Sequence, residues 1–154
     1  MSSYPDAPAA NAAVTPVRHR SKVAAALLAC LLGVWGAHWW YMGRRGAWVL
    51  TAFALIMLAW SARWPVWWDS PPFLVLIVPL TAGIIESVVF ALRPDEAFDA
   101  RYNVGSGRRT RTGWNAVLVA IFATLMGGTA ALFLLAVIVL HVYKALGWLD
   151  GYVI

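Results

Sequence analysis

The chain has 154 residues, 62% of them apolar and only 12% charged, against the roughly 25% charged residues of an average soluble domain, a balance that excludes a water-soluble globule. With Cys30 as its single cysteine, it can form neither an intramolecular disulfide nor a cysteine-based zinc site. Twelve Lys and Arg against seven Asp and Glu give a net charge of +5, which in so apolar a chain reads as a topology signal rather than a nucleic-acid footprint.

Residues 1–17 hold three Pro among Ala and Ser and too few large apolar side chains to offset the entropy of ordering them, so a disordered tail is expected there. The basic cluster Arg18, His19, Arg20 and Lys22 leads into a first apolar run, Val23 to Met42, that ends on Trp39, Trp40 and Tyr41. A Gly43-Arg44-Arg45-Gly46 connection opens the second run, Ala47 to about Ala62. Beyond it Trp64, Trp67 and Trp68 mark a headgroup layer. The third run, Phe73 to Leu92, is entered through Pro71-Pro72, carries Glu86, and should bend near Pro79. A short helix is expected from Pro94 to Tyr102, followed by a basic loop over 104–113 with Arg108, Arg109 and Arg111. The last unit, 114–154, holds a run from Trp114 to about Leu146, too long for one span and too short for two, and so reads as one long tilted helix with a short tail. The fold class is an all-α integral membrane protein, a small bundle of three to four hydrophobic helices.

Orientation follows from Lys and Arg near the ends of the runs. The loop after run one and the loop after run three carry seven of them (Arg44, Arg45, Arg93, Arg101, Arg108, Arg109, Arg111), and the loop between runs two and three carries Arg63 alone. The first and third loops therefore face the cytoplasm, and the loop at Asp69 faces outward. If run one spans fully, Arg18, Arg20 and Lys22 fall on the outside, against the rule. If it dips in and returns, they stay inside, but its irregular backbone then needs the other helices as a shield. Three and four spans both remain open. The sequence Leu27-Leu28-Ala29-Cys30 resembles a lipobox, yet only seven apolar residues precede Cys30 in the run and twelve residues follow it through Met42; Cys30 reads as a small packing residue.

The stretch RSKVAAALLACLLGVWGAHWWYMG, residues 20–43, is similar to the start of the TM2 domain family. The signature Gly-x-x-Gly-x-His-x-Phe-Tyr-x-Gly falls on Gly33, Gly36, His38, Trp40, Tyr41 and Gly43, with Trp40 in place of Phe. Downstream, VPLTAGIIESVVFALRPDEAFDARYN resembles the second half of the family at Gly83, Glu86, Asp95, Phe98, Asp99, Tyr102 and Asn103. The resemblance covers residues 20–103, within a membrane domain expected over 18–103. It implies a membrane location and helical hairpins, and it supplies no biochemical activity. The Trp-rich second loop and the helix from Trp114 depart from the pattern.

The same residues carry physical expectations. Ala25, Ala29, Gly33 and Ala37 recur every four residues, as do Gly83, Ser87 and Ala91, and Ala116, Ala120, Thr124 and Gly128, the last set flanked by Ala123, Gly127 and Ala131. Such small-residue ridges let helices approach closely where lipid supplies no hydrophobic drive, pointing to internal packing or a homo-oligomer. His38 and Glu86 should both lie roughly 6–9 Å below the same interface, at ~1.5 Å per residue. They read either as a polar clasp between runs one and three or as part of a proton or ion relay, with hydroxyls of Ser87, Thr81 or Tyr41 as other holders of Glu86. Asp95, Glu96 and Asp99 read as a solvated helix face offsetting Arg93 and Arg101, or less readily as a divalent cation site. Arg108, Arg109 and Arg111 serve as topology determinants with some attraction for anionic lipid. No nucleophile and base pair, Gly-rich phosphate loop or zinc motif is visible, so the sequence calls for no enzyme, catalytic residue, metal or cofactor. The expected partners are the lipid bilayer and a second copy or another membrane protein, with no nucleic acid. The leading function is a non-enzymatic membrane module assembling through small-residue helix faces, and the alternative is a small channel or transporter using His38 and Glu86.

Overall fold

Apolar runs supply the helices of this chain, and Gly, Pro and Ser at their borders set the ends. The computed structural model describes residues 18–151; the tail expected over 1–17 lies outside them. Helix α1 (Lys22–Leu32) starts on Ser21, whose hydroxyl accepts from the Ala24 N–H at 3.3 Å. A 3-10 turn, Gly33–Trp35, leads to Gly36, whose φ of +70° is the left-handed backbone that glycine adopts without penalty. Helix α2 (Ala37–Met42) follows, closed by Gly43 at φ +69°.

Residues 23–42 are thus two helices rather than one, and α2 runs back beside α1. The Ser21 N–H donates to the Tyr41 hydroxyl at 2.7 Å, and the Arg18 guanidinium lies 6.0 Å from the Tyr41 ring centroid. The hairpin begins and ends at the same end of the bundle, here called the basic end.

Helix α3 (Ala47–Ser61) leads to the opposite, far end. There the Ser61 and Ser70 hydroxyls, 2.8 Å apart, both donate to the Trp67 carbonyl and knot the connection. Helices α4 (Pro71–Val75) and α5 (Ile77–Leu92) return to the basic end. The bend expected near Pro79 is an interruption at Leu76, almost a turn earlier, because Pro79 has no N–H to donate to the Val75 carbonyl. The short helix α6 (Asp95–Tyr102) caps the basic end, burying Phe98 against Phe90 and Tyr102. Helix α7 (Trp114–Phe122), a π-helical turn over Ala123–Gly127, and α8 (Gly128–Ala145) form one continuous apolar rod of 32 residues. That rod and the 22-residue Pro71–Leu92 stretch are long and apolar enough to cross a membrane, whereas α1 and α3 are shorter.

The core is built from α1, α5 and α7. Ala25, Ala26 and Ala29 are fully buried, with Ala91, Ala116 and Ala120 nearly so. At Gly33 a Cβ would stand 2.8 Å from the Gly83 Cα, and at Gly83 one would stand 2.7 Å from the Gly33 Cα. The backbones touch there, and four residues along α5 the buried Ser87 hydroxyl donates to the Ala26 carbonyl at 2.7 Å. Close approach turns dispersion and such hydrogen bonds into the cohesion that lipid-facing helices otherwise lack.

The strict four-residue ridges need correcting at two places. Ala37 lies past the Gly36 break and is only half-buried on α2. On the last rod the contact face runs through Ala116, Ala120, Ala123 and Gly127, while Thr124 faces outward and nothing lies within 4 Å of a Cβ on Gly128. At ~100° per residue a step of four overshoots a full turn by ~40°, so a strict repeat winds off the face that the core contacts.

The result is an all-α integral membrane protein, a small helical bundle in which the small-residue faces of α1, α5 and α7 meet one another.

Candidate functional site

The most polar cluster at membrane depth grows out of the α1–α2 break. Turning a chain inside a bundle frees backbone groups that must find partners. Here α3 supplies one: the Thr51 hydroxyl donates to the Trp35 carbonyl at 2.8 Å and accepts from the Trp40 indole N–H at 2.9 Å. Leu50 covers Gly36, so closely that a Cβ there would stand 3.0 Å from its Cδ2. The break fixes the direction of α2, and α2 carries His38 and Trp39 toward α5.

Glu86 of α5 accepts from three side chains. His38 Nε2 lies 2.9 Å from Oε2, Arg44 Nη1 lies 3.0 Å from Oε1, and the Trp39 indole nitrogen lies 3.3 and 3.2 Å from the two oxygens. The Arg44 guanidinium also sits 5.1 Å from the Trp39 ring centroid. His38 turns Nε2 to the carboxylate, and its Nδ1 is buried without a partner among the described residues. The Arg44 guanidinium faces the Glu86 carboxylate as its fixed counter-charge. A carboxylate offers about four lone-pair sites, so these donors nearly saturate it.

Two sequence expectations are corrected. Glu86 is not held by Ser87, Thr81 or Tyr41: Ser87 bonds the Ala26 carbonyl and Tyr41 accepts from Ser21. Arg44, read from sequence as a topology residue only, is a direct partner. Trp39 and Thr51 left no sequence signal beyond their residue types.

Above the cluster lies a cavity of about 220 Å³ between α3 and α5, lined by Leu50, Phe53, Val78, Pro79 and Ala82, with His38 and Glu86 at its floor. Its walls are apolar, and among the described residues no ionisable side chain besides these two lines it.

A second cluster closes the basic end. Asp95 pairs with the Lys22 ammonium at 2.6 Å and accepts from the Thr112 N–H at 2.8 Å and from the Thr112 hydroxyl. Asp99 accepts from the Thr110 N–H at 2.6 Å, from the Thr110 hydroxyl and from Asn103 Nδ2. Asn103 also links back to the Arg20 backbone through its carbonyl oxygen at 2.8 Å. The acids therefore do not offset Arg93 and Arg101; they clamp residues 108–112 as a strap against α6, with Thr110 and Thr112 toward the acids and Arg109 and Arg111 exposed. Burial works to raise both carboxyls, but the donors outweigh it, holding Asp95 at about 2 and Asp99 below its ordinary value.

The other singled-out residues fall around these clusters. Gly33 and Gly83 form a helix contact that also lines the cavity, Trp40 is largely exposed, and Phe98 and Tyr102 pack on Phe90.

A family model of the TM2 domain matches residues 18–68, the hairpin, α3 and the Trp-rich turn that follows. The positions from Gly83 to Asn103 lie beyond that match. The chain is 30% identical over 87 residues, 56% of its length and 86% of the relative's, to the uncharacterized membrane protein YozV of Bacillus subtilis (strain 168). No solved structure matches. With its signature glycines at the hairpin break and its His38 on Glu86, this chain is a membrane protein that belongs to the TM2 domain family.

Proposed function

We propose that the protein is a multi-pass module of a bacterial inner membrane, non-enzymatic, which assembles with itself or with another membrane protein. α3, α4–α5 and α7–α8 make three spans, and the α1–α2 hairpin re-enters from the cytoplasmic side. The basic end is cytoplasmic: it gathers Arg18, Arg20, Lys22, Arg44, Arg45 and the strap arginines on one side, as the distribution of positive charge requires.

The observation that carries the assembly reading is the division of small residues on the last rod. Gly127 faces inward onto Ile84, while Gly128 faces open space among the exposed Leu125 and Leu132. A groove of about 300 Å³ between α5 and α7 adjoins it, with Ala120 and Thr124 between Val88, Leu92 and Ile121. A notch among large apolar side chains suits a second helix, since close approach replaces loose lipid contacts with dense ones.

The test is cysteine cross-linking in native membranes at Leu125, in a Cys30→Ala background. The expected result is an adduct of doubled mass, or of larger mass with a different partner, that a cysteine at the lipid-facing Ile56 of α3 does not give. Leu125 and Ile56 behaving alike would overturn the reading.

The channel reading has one observation in its favour, the ~220 Å³ cavity floored by His38 and Glu86. Its apolar walls and the near-saturated carboxylate favour a clasp, and proton flux in liposomes distinguishes the two.

A further inference from the structure

A second apolar cavity, at the far end, joins a charged group that neither the sequence nor the clasp accounts for. Trp68 and Phe73 on one wall face Phe133, Leu134 and Val137 of α8 across about 350 Å³, within the roughly 300–1,000 Å³ of ligand sites. Phe133 and Trp68 are both exposed, so the cavity opens sideways toward hydrocarbon.

The same two walls carry the charges. Asp69 follows Trp68 in the chain, and its carboxylate receives His141 Nδ1 at 3.2 Å and Lys144 Nζ at 3.8 Å. On α8, Phe133, Val137, His141 and Lys144 recur at intervals of four, four and three residues and so share one face. Over ~16 Å, at ~1.5 Å per residue, that face passes from an apolar wall to a cationic end. The order matches the depth profile of a phospholipid.

We propose that this cleft is a phospholipid site, with one acyl chain in the cavity and the headgroup phosphate on Lys144 beside His141. At the buried Lys22–Asp95 pair the ammonium is 4% exposed and 2.6 Å from its acid. Lys144, by contrast, is 49% exposed and makes one long side-chain contact among the described residues, leaving donors for a phosphate. A water-soluble phosphate would leave the aromatic cavity unused, so the ligand is an amphiphile. The site rests on the three-span reading only in placing the far end at a lipid–water interface.

Native mass spectrometry of the full chain in mild detergent, with added phosphatidylglycerol bearing eighteen-carbon chains, tests it. One lipid should be retained per chain, with retention at least fivefold lower in Val137→Phe, which fills the cavity, and at least threefold lower in Lys144→Gln. Lys144 is half-exposed, so its variant folds even if Val137→Phe does not. Glycerol phosphate, which has the headgroup chemistry without the chain, should not compete at hundredfold excess. Unchanged retention in Lys144→Gln, or full competition by glycerol phosphate, would overturn the proposal. Binding in detergent is read independently of which way the chain crosses a membrane, so a failure here is distinct from a failure of the topology.

Discussion

Gly83 is the position where one methyl group should do the most damage. A Cβ there would stand 2.7 Å from the Gly33 Cα and 2.8 Å from the Ala29 carbonyl oxygen, whereas carbon atoms settle at ~3.5–4.0 Å. Both neighbours are backbone, so the helices must part by about 1 Å, and overpacking of this kind costs ~1–3 kcal/mol. The Ser87–Ala26 hydrogen bond, 2.7 Å long and one turn along, would stretch with them, at a further ~0.5–1.5 kcal/mol. Alanine's better helix propensity returns only ~0.5–1 kcal/mol. Gly83→Ala should therefore lose about 2 kcal/mol. In the detergent-dispersed monomer Gly128→Ala, with nothing of its own chain within 4 Å, should instead gain ~0.5 kcal/mol. Thermal unfolding of the two purified variants in the same detergent reads the contrast: the melting temperature falls by several degrees in the first and holds or rises in the second. A Gly83→Ala variant that melts with Gly128→Ala would refute a backbone contact between α1 and α5.

Further outcomes follow from the two polar clusters. Glu86→Leu leaves the buried His38 and the Trp39 indole N–H without their acceptor and should cost ~1–3 kcal/mol, the penalty for an unsatisfied donor, while Arg44, 35% exposed, can turn outward. Glu86→Gln keeps an acceptor and should melt between it and the parent chain; proton flux present in the parent and abolished in the Gln variant would replace the clasp by a relay. At the basic end Asp95, held at about 2 against an ordinary 3.8, binds its proton more readily once the strap is open, so its contribution is complete above pH ~4 and lost as pH falls toward 2. Amide exchange by NMR should show the Thr112 N–H protected at pH 5 and progressively exposed below pH 4, and unprotected at both in Asp95→Ala.

Much of this architecture was legible because apolar run length, Gly and Pro are local signals. The borders of α3, α5, α6 and the last rod lie within a few residues of where the sequence puts them. The equal depths of His38 and Glu86 could be counted from the run ends. What could not be counted was partnership. Arg44 sits six residues from His38 in a loop whose charge already had an explanation, and only the reversal at Gly36 swings it onto Glu86. Thr110 and Thr112 reach Asp99 and Asp95 by 11 and 17 residues of separation, a distance at which no periodicity operates. The ridge on the last rod failed differently: a four-residue repeat is a good approximation over two turns and drifts off the face by the third.

The central claim, that residues 22–42 form a hairpin entering and leaving the bilayer on one side, is tested most directly by cysteine labelling in intact cells. Single cysteines at Ser21, Arg45, Val66 and Ser106, in a Cys30→Ala background, are treated with a membrane-impermeant maleimide before and after the cytoplasmic side is opened. The three-span account predicts that Val66 labels from outside while Ser21, Arg45 and Ser106 label only after opening. Labelling of Ser21 from outside, with Arg45 still protected, would mean that the first run crosses the membrane and would contradict the hairpin.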